Sequence, residues 1–224
     1  MKFIKPFYEI LSDIDSDRIL KAIEVAGRTC YKSEDKIISD SAKEFVRKII
    51  KSGHESVIEH QSLSIRFICD RGVSHELVRH RLASFSQEST RYVNYSKGEF
   101  GKELTFIIPN WINDEQIELV QKLNEYNFTK VFNSTKSWYF AISECSQAYL
   151  QLLKEGWTPQ QARSVLPNSL KTEIVITANL REWRTIFKQR TSKAAHPQMR
   201  ELMCPLLDEL KGKLPVIFND ISYE

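Results

Sequence analysis

The stretch RHRLASFSQESTRY, residues 79–92, is the most informative segment of this 224-residue sequence for predicting fold and function. Two arginines flank a histidine, a run with three serines follows, and a further arginine comes just before the end. Neither a strand nor a helix requires this composition. Planar guanidinium groups close to hydroxyl groups favour an anion-binding site. The alternative is that Arg79, His80 and Arg81 only interact with the dipole at a helix C-terminus.

Composition places the chain among ordinary globular proteins. It is 42% hydrophobic and 27% charged, with a net charge of +3, which is less basic than a dedicated nucleic-acid binder. The start, MKFIKPFYEILSDID, has neither the apolar segment nor the cleavage site of a signal peptide. No apolar run approaches the roughly 20 residues that span a membrane. The length is compatible with one large domain or a tight two-part domain, and we predict a single domain over residues 1–224. The protein is expected in the cytoplasm.

The cysteines and the short motif GHESVIEH, residues 53–60, do not predict a metal site. The motif resembles the zinc-binding pattern HExxH, but Ile58 stands where the second histidine is needed. No cysteine pair forms CxxC, so four free and mostly buried thiols are expected in a reducing compartment. The four are Cys30, Cys69, Cys145 and Cys204.

Helical and strand periodicities alternate along the chain. In chain order, the predicted elements are a strand over residues 2–10, a helix from Asp15 or Ser16 with Ile19, Leu20, Ile23 and Val25 on one side, a helix over about 40–52 ending at Gly53, a strand over 61–70, a turn at 70–72, a short helix at 75–81 capped by Ser74, a strand over 104–108, a long helical region over about 114–155 with a break near Asn133, a helix from Pro159 to Pro167, a strand over 172–179, and helices near 180–190 and 197–211. Strands among long helices predict an α+β fold with a mixed or antiparallel sheet. In the long helical region, Trp138, Tyr139, Phe140 and Tyr149 are expected in the core or at a subunit interface.

The glycines exclude two common ways of binding a phosphate. The sequence has seven glycines, and they form neither GxGxxG nor GxxxxGK[ST]. A nucleotide must therefore be held by side chains, and arginine is the natural choice. Each charge-assisted hydrogen bond contributes about 1.5–3 kcal/mol. A few such bonds give micromolar binding, which corresponds to about 8 kcal/mol.

Four blocks of sequence resemble one enzyme family. Arg79, His80 and Arg81, followed after seven residues by Ser89, resemble the signature RHRx7S of the flavin-dependent thymidylate synthases, the ThyX family. GHESVIEH resembles that family's flavin-contacting segment. The blocks ARSVLP (162–167) and NLREWRTIFKQR (179–190), the latter followed by HPQ, resemble its nucleotide-binding segments. The blocks occur in the family's order from about residue 20 to 205, so the resemblance is specific.

The resemblance implies a ThyX-like α+β fold, a reaction and an oligomeric state. The substrate is 2′-deoxyuridine 5′-phosphate (dUMP) and the product is thymidylate (dTMP). Methylenetetrahydrofolate supplies the carbon, and flavin adenine dinucleotide (FAD), reduced by NADPH, supplies the hydride. Similar proteins are homotetramers whose sites combine residues from several subunits.

The resemblance also implies a role for individual residues. Arg190 is the catalytic candidate, because a guanidinium against the uracil ring stabilises negative charge that develops there. His54 is a further candidate for contact with the folate or the flavin. The residues matched to the dUMP site are Glu76, Arg79, Gln87, Ser89, Thr90, Arg91, Arg163 and Arg190. The residues matched to the FAD site are Ser56, Arg79, His80, Arg81, Gln87, Asn179, Arg181 and His196.

Three positions depart from the family pattern. Glu76 stands where members often have glutamine, Gln87 where several have glutamate, and Thr185 where some have asparagine. A carboxylate near a phosphorylated substrate must be kept away from the phosphate or offset by an arginine. No cysteine lies in a matched block, so we expect the cofactor, not a cysteine nucleophile, to carry the difficult step. Ser89 is expected to orient the substrate by hydrogen bonding.

Two other functions are compatible with the same residues. In one, residues 79–91 form a basic patch of a nucleic-acid-binding module, whose affinity would fall steeply with salt. Aromatic side chains for base stacking are few there, since only Phe85 and Tyr92 are close. In the other, the chain is a flavoprotein with a different activity on the same scaffold. Flavin absorbance distinguishes the enzyme from a nucleic-acid-binding module. An activity assay distinguishes it from a flavoprotein with a different activity.

Overall fold

The computed structural model describes residues 1–96, 104–122 and 134–223. The chain divides into two compact units. The first unit contains Met1–Pro6, Ile68–His75 and Gln87–Ile174, and the second contains Phe7–Phe67, Glu76–Ser86 and Val175–Glu224. The predicted α+β class is confirmed, since both helices and an antiparallel sheet are present. The single-domain prediction stays a prediction.

The elements of the described residues are as follows. The strands are β1 (Lys2–Ile4), β2 (Phe7–Ile10), β3 (Ser62–Asp70), β4 (Ala83–Gln87), β5 (Thr105–Ile107) and β6 (Lys171–Asn179). The helices are α1 (Ser16–Tyr31), α2 (Ser41–Lys51), α3 (Arg71–Leu77), α4 (Asp114–Gln121), α5 (Ser134–Lys154), α6 (Pro159–Ala162), α7 (Leu180–Arg190), α8 (Pro197–Lys213) and α9 (Pro215–Phe218), with short 3₁₀ segments at Glu34–Lys36, Glu55–His60 and Arg163–Val165. The part of the predicted 114–155 helix around Asn133 lies outside the described residues.

The strands form two sheets. The larger one has the order β2-β3-β6-β4, and β1 pairs with β5 in parallel, with Phe3 opposite Phe106. The prediction of one strand over residues 2–10 is therefore wrong: β1 and β2 are separate strands in different sheets. Pro6 lies between them, and its missing N–H cannot continue a ladder of hydrogen bonds.

Aromatic and aliphatic side chains build the core of the first unit. Phe3 lies 6.0 Å from Phe106 and 5.7 Å from Trp138, measured between ring centroids. Tyr149 of α5 is buried in the same cluster, as its helical spacing predicts, whereas Phe140 is half exposed. Burial of such rings is the main stabilising contribution, since each removes 150–250 Å² from water.

Periodicity predicted most of the core of the second unit. Ile19, Leu20 and Ile23 of α1 are buried, but Val25 is 53% exposed, so its place on that face was wrong. The reason is geometric, because two residues correspond to about 200° of helix rotation. In α7, the buried Trp183 donates from Nε1 to the carbonyl oxygen of Leu63 at 3.1 Å, which fastens α7 to β3.

Side-chain caps determine where several helices begin and end. The Asp15 side chain accepts from the backbone N–H of Arg18 at 3.0 Å, as a cap for α1. Gly53 ends α2 with φ +73°, a left-handed conformation that glycine adopts without strain. The predicted turn at 70–72 and the Ser74 cap are wrong, because Asp70 Oδ1 accepts from Val73 N at 2.7 Å and α3 starts at Arg71. Ser74 lies inside α3 and donates to the carbonyl oxygen of Arg71.

The four cysteines are unpaired. Only Cys69 is buried, while Cys30 is exposed and the other two are intermediate, so the expectation of mostly buried thiols was wrong. Within the described ranges, no helix is both long and apolar enough to cross a membrane.

Candidate active site

The arginine-rich motif is a helix end, a turn and a strand. Helix α3 ends at Leu77, and the backbone N–H of His80 donates to the carbonyl oxygen of Leu77 at 3.2 Å. The next residues form β4, which lies beside β6 at the end of the larger sheet. Residues Ala83–Gln87 thus form a strand, although their composition does not require one. Pairing with β6 overrides the low strand preference of this composition.

Three of the expected site residues meet in the second unit. Nε of Arg190 donates to Nε2 of His80 at 2.9 Å. Nη1 of Arg190 donates to Oε2 of Glu76 at 2.8 Å, and Nη2 donates to the carbonyl oxygen of Glu76 at 3.0 Å. Arg190 is the last residue of α7, whereas Glu76 and His80 come from α3 and the turn after it. The α7 terminus therefore joins the motif through one guanidinium group.

His80 is neutral in this arrangement. Its side chain is 6% exposed, and burial together with the nearby Arg190 charge lowers its pKa from 6.5 to about 4. A charged imidazole would carry a proton on both nitrogens, which conflicts with accepting a hydrogen bond at Nε2. The other ring nitrogen, Nδ1, lies 3.5 Å from Oε1 of Glu182, whose pKa is raised by burial.

Glu76 forms an ion pair with Arg190. Glu76 is partly exposed and lies in contact with the guanidinium through both its side chain and its backbone. The arginine offsets the negative charge of the carboxylate. The pairing also reduces the net positive field of Arg190 at close range.

The expected flavin residues in the second unit differ in exposure and in the partners that they already contact. Oδ1 of Asn179 caps α7 by accepting from Glu182 N at 2.8 Å, which leaves its amide NH₂ as a donor. Arg181 is exposed and ion-paired with Glu59 at 2.6 Å. His196 caps α8, with Nδ1 accepting from Gln198 N at 3.3 Å. His54 and Ser56 are exposed just after the end of α2.

Arg79 and Arg81 lie on either side of the buried His80 in the sequence. Both are exposed, and neither guanidinium makes a hydrogen bond or ion pair to the part of the chain that the structure describes. Two exposed guanidinium groups on either side of the buried His80 are suited to binding an anion. Helix α3 ends at Leu77, so Arg79 and Arg81 lie just beyond its C-terminal end, where the helix dipole also favours a cation.

Arg184 is a structural residue that the sequence did not identify. Arginine side chains usually lie on the solvated surface, but that of Arg184 is 2% exposed. Its five N–H groups all donate: to Oε1 of Glu55 from Nε at 3.2 Å and from Nη2 at 3.0 Å, to both carboxylate oxygens of Asp220 at 2.6 Å, and to the carbonyl oxygen of Ile217. Because Glu55 lies between His54 and Ser56, this contact fixes the segment that carries them.

The first unit holds the rest of the expected substrate residues. Nε2 of Gln87 donates to Oγ of Ser74 at 2.9 Å and to Oγ1 of Thr172 at 3.2 Å. Nη1 of Arg163 donates to Oγ1 of the buried Thr90 at 3.3 Å. The structure therefore brings Arg163 to the motif, although the two are 73 residues apart in sequence.

The remaining residues of the motif are more exposed. Ser89 accepts from the backbone N–H of Arg91 at 3.3 Å. The guanidinium of Arg91 lies 5.3 Å from the ring centroid of Tyr92, at an exposed position. Beside them, Glu88 accepts from Lys171 at 3.0 Å and from Tyr95 at 2.7 Å. Burial opposes the charge of Lys171, but hydrogen bonds to Glu173 and Glu88 outweigh it and raise its pKa.

Comparison with known proteins identifies the family. The family model described as thymidylate synthase complementing protein matches residues 14–216. A flavin-dependent thymidylate synthase from Geobacter sulfurreducens is 34% identical over 206 residues, covering 89% of this chain and 80% of the relative. Those of Corynebacterium efficiens and Pyrococcus abyssi are 33% and 34% identical, covering 95% and 86% of this chain and 83% and 75% of the relatives. The chain belongs to the flavin-dependent thymidylate synthase family.

The residues of this family member fit a flavin dinucleotide. A pyrophosphate needs cationic donors, and the exposed guanidinium groups of Arg79 and Arg81, which form no ion pair with any residue that the structure describes, would supply them. The N-terminus of α7 has an amide donor on Asn179 and the positive end of the helix dipole. In the described residues, no three His, Cys, Asp or Glu side chains are grouped as metal ligands.

Sequence reasoning missed Glu182, Glu88 and Lys171. Glu182 and Arg190 lie eight residues apart on α7, about two turns, so both reach His80 from one helix. That spacing was a usable signal. Glu88 and Lys171 gave none, because they are 83 residues apart and strand pairing brings them together.

Proposed function

We propose that the chain is a flavin-dependent thymidylate synthase that converts dUMP to dTMP by reductive methylation. The carbon comes from 5,10-methylenetetrahydrofolate, and the hydride comes from FAD reduced by NADPH. The observation that carries this function is the family match, which spans residues 14–216 and includes the RHRx7S motif.

Arg190 is the proposed catalytic residue. Three of its five N–H groups donate to His80 and Glu76, which leaves two for a ligand. A guanidinium held in this way needs little reorganisation when negative charge develops on a pyrimidine, and such preorganised charge is an effective form of catalysis. Glu76 contributes by holding the guanidinium, and by partly offsetting its charge.

The remaining substrate contacts are proposed on chemical grounds. Arg79, Arg91 and Arg163 are the donors for the phosphate of dUMP, because all three are exposed and fork-shaped. Gln87, Ser89 and Thr90 provide an amide and two hydroxyl groups for hydrogen bonds that orient the nucleotide. Orientation of this kind places the reacting atoms and lowers the entropic part of the barrier.

The flavin site is proposed to contain Ser56, Arg79, His80, Arg81, Gln87, Asn179, Arg181 and His196. When bound and reduced, the flavin supplies the hydride that completes the methyl group. The exposed arginines bind its phosphates, and the neutral His80 keeps the Arg190 guanidinium in place. His54, exposed beside Glu55, is a proposed contact of the folate or the flavin.

We also propose a homotetramer in which each site combines residues from several subunits. Leu82 and Tyr92, both inside the motif, are 75% and 78% exposed, and large exposed apolar groups beside a site favour coverage by a partner. The whole chain is proposed to act as a single domain. Its compartment is proposed to be the cytoplasm, where four unpaired cysteines stay reduced.

Release of tritium from C5-labelled dUMP, in the presence of methylenetetrahydrofolate, NADPH and FAD, tests the activity. The purified protein should show the absorbance of oxidised flavin and should lose it when reduced. Arg190→Ala should abolish tritium release, while Arg47→Ala, which breaks an exposed ion pair with Glu44 on α2, should leave it unchanged.

Three outcomes count against the proposal. A protein that takes up no flavin but binds DNA with a steep salt dependence would be a nucleic-acid-binding module. Flavin binding without tritium release would indicate a different flavin chemistry. Normal turnover in Arg190→Ala would remove Arg190 from the mechanism.

A further inference from the structure

The contact between Arg190 and His80 determines where the imidazole carries its proton. Nε of Arg190 always bears hydrogen and can only donate, and it lies 2.9 Å from Nε2 of His80. Nε2 must therefore present its lone pair. A neutral ring has one proton, so that proton is on Nδ1.

Glu182 lies on the side of the ring that carries this proton. Its Oε1 is 3.5 Å from Nδ1, and the exposed fractions of the His80 and Glu182 side chains are 6% and 8%. An ionised carboxylate only accepts hydrogen bonds, so it favours the tautomer with hydrogen on Nδ1. Since water is excluded, the interaction is stronger than on the surface.

We propose that Glu182 is a positioning residue for the reaction. Its carboxylate fixes the Nδ1–H tautomer of His80, the lone pair on Nε2 then holds Nε of Arg190, and the guanidinium is oriented for the pyrimidine. The part that concerns the pyrimidine rests on the proposed function. The part that concerns the tautomer rests on the distances alone.

The opposite tautomer is incompatible with the observed contact. A proton on Nε2 would set two N–H groups against each other at the observed 2.9 Å, and His80 and Arg190 would have to separate. Arg190 would keep only its two contacts to Glu76, which is itself partly exposed. A guanidinium held from one side has more orientations, and catalysis suffers when a charged group is misplaced.

The tautomer can be measured without turnover. Solid-state ¹⁵N NMR of protein labelled in its histidine rings distinguishes protonated from unprotonated ring nitrogens, and His80→Asn assigns the signal of His80. In the unsubstituted protein, His80 should be neutral with hydrogen on Nδ1. Glu182→Leu should move the proton to Nε2 in a large fraction of molecules. Glu182→Gln retains an acceptor oxygen and should keep more of the original tautomer.

Activity should follow the tautomer. We expect kcat to fall about 10–100-fold in Glu182→Leu, the range known for residues that orient a functional ligand through a second contact, with a smaller change in KM for dUMP. Glu182→Gln should fall between Glu182→Leu and the unsubstituted protein. The control is Glu24→Gln, which removes a buried carboxylate that pairs with Arg28 on α1, and it should change neither the tautomer nor kcat.

Hydrogen on Nε2 of His80 in the unsubstituted protein would overturn the proposal. So would a loss of kcat in Glu182→Gln or Glu182→Leu while the proton stays fully on Nδ1, because a purely structural role predicts that result. If Glu182→Leu does not fold, the other two proteins still decide the question. A protein with the expected tautomer but no tritium release would contradict the proposed function and leave the role of Glu182 toward His80 intact.

Discussion

Replacement of Arg184 by methionine should strongly destabilise the protein, whereas the same replacement of Arg181 should not. Both arginines lie on α7, three residues apart, and both pair with acidic residues. Arg184 is 2% exposed and donates from all five N–H groups, while Arg181 is half exposed and donates to Glu59. Methionine keeps most of the apolar stem and removes the charge, so the comparison isolates the contribution of the guanidinium.

The magnitude follows from burial of the partners. Removing one member of a buried ion pair costs about 3–5 kcal/mol, because the other member keeps an uncompensated charge. Asp220 is 51% exposed and regains water, whereas Glu55 is 19% exposed and regains less, so we expect the lower end, about 3 kcal/mol. An exposed pair such as Arg181–Glu59 contributes about 0–1 kcal/mol. For a chain of this length, about 3 kcal/mol lowers Tm by about 6–12 °C.

Urea unfolding of the flavin-free proteins, followed by tryptophan fluorescence, measures both changes at one protein concentration. Asp220→Asn combined with Arg184→Met completes a double-mutant cycle, and the coupling energy should be positive and above about 1 kcal/mol. Equal losses in Arg184→Met and Arg181→Met would refute the reasoning. So would a loss below about 1 kcal/mol in Arg184→Met, since the burial and the five contacts would then have no energetic consequence.

Three further predictions concern protonation, thiol reactivity and backbone conformation. Burial lowers the pKa of His80 from 6.5 to about 4, so between these pH values the unfolded chain binds a proton that the folded chain does not. The free energy of unfolding should therefore fall by about 3 kcal/mol on acidification through this window in the unsubstituted protein, and by less in His80→Asn. Unfolding at pH 7, 5.5 and 4.5 measures both changes, and an identical pH dependence of the two proteins would contradict the assignment. A maleimide reagent should label the exposed Cys30 quickly and Cys69 only on unfolding, because Cys69 is buried and burial raises the pKa of its thiol. Mass spectrometry of digests measures the labelling of each cysteine. Fast labelling of Cys69 in the native protein would be inconsistent with its burial. Gly53→Ala should destabilise the protein by about 1–2 kcal/mol, because the φ of Gly53 is +73°. Gly212→Ala should stabilise it by up to about 1 kcal/mol, because Gly212 lies in α8 and an added Cβ meets open space. Equal Tm changes in the two variants would argue against the backbone conformation assigned to Gly53.

The alternation of apolar residues correctly predicted the strands whose one face is buried. The alternation of Leu63, Ile65 and Phe67 correctly predicted β3, and the alternation at Ile174 and Ile176 correctly predicted β6. Prediction failed where distant partners decided. The 79–92 stretch has no strand preference, yet five of its residues form β4, because β6 offers unpaired hydrogen-bonding groups there.

The sequence by itself determined the family and the kind of chemistry. The spacing of Arg79, His80, Arg81 and Ser89, together with the lack of glycine-rich phosphate loops, predicted that arginine side chains would bind a phosphorylated ligand. The tertiary structure decided what each arginine does. Arg184 is buried against carboxylates up to 129 residues away, and Arg190 pairs with Glu76 at a separation of 114 residues. Arg79 is exposed and has no ion pair among the residues that the structure describes. Identical guanidinium groups differ only in burial and in partners, and folding alone brings those partners together.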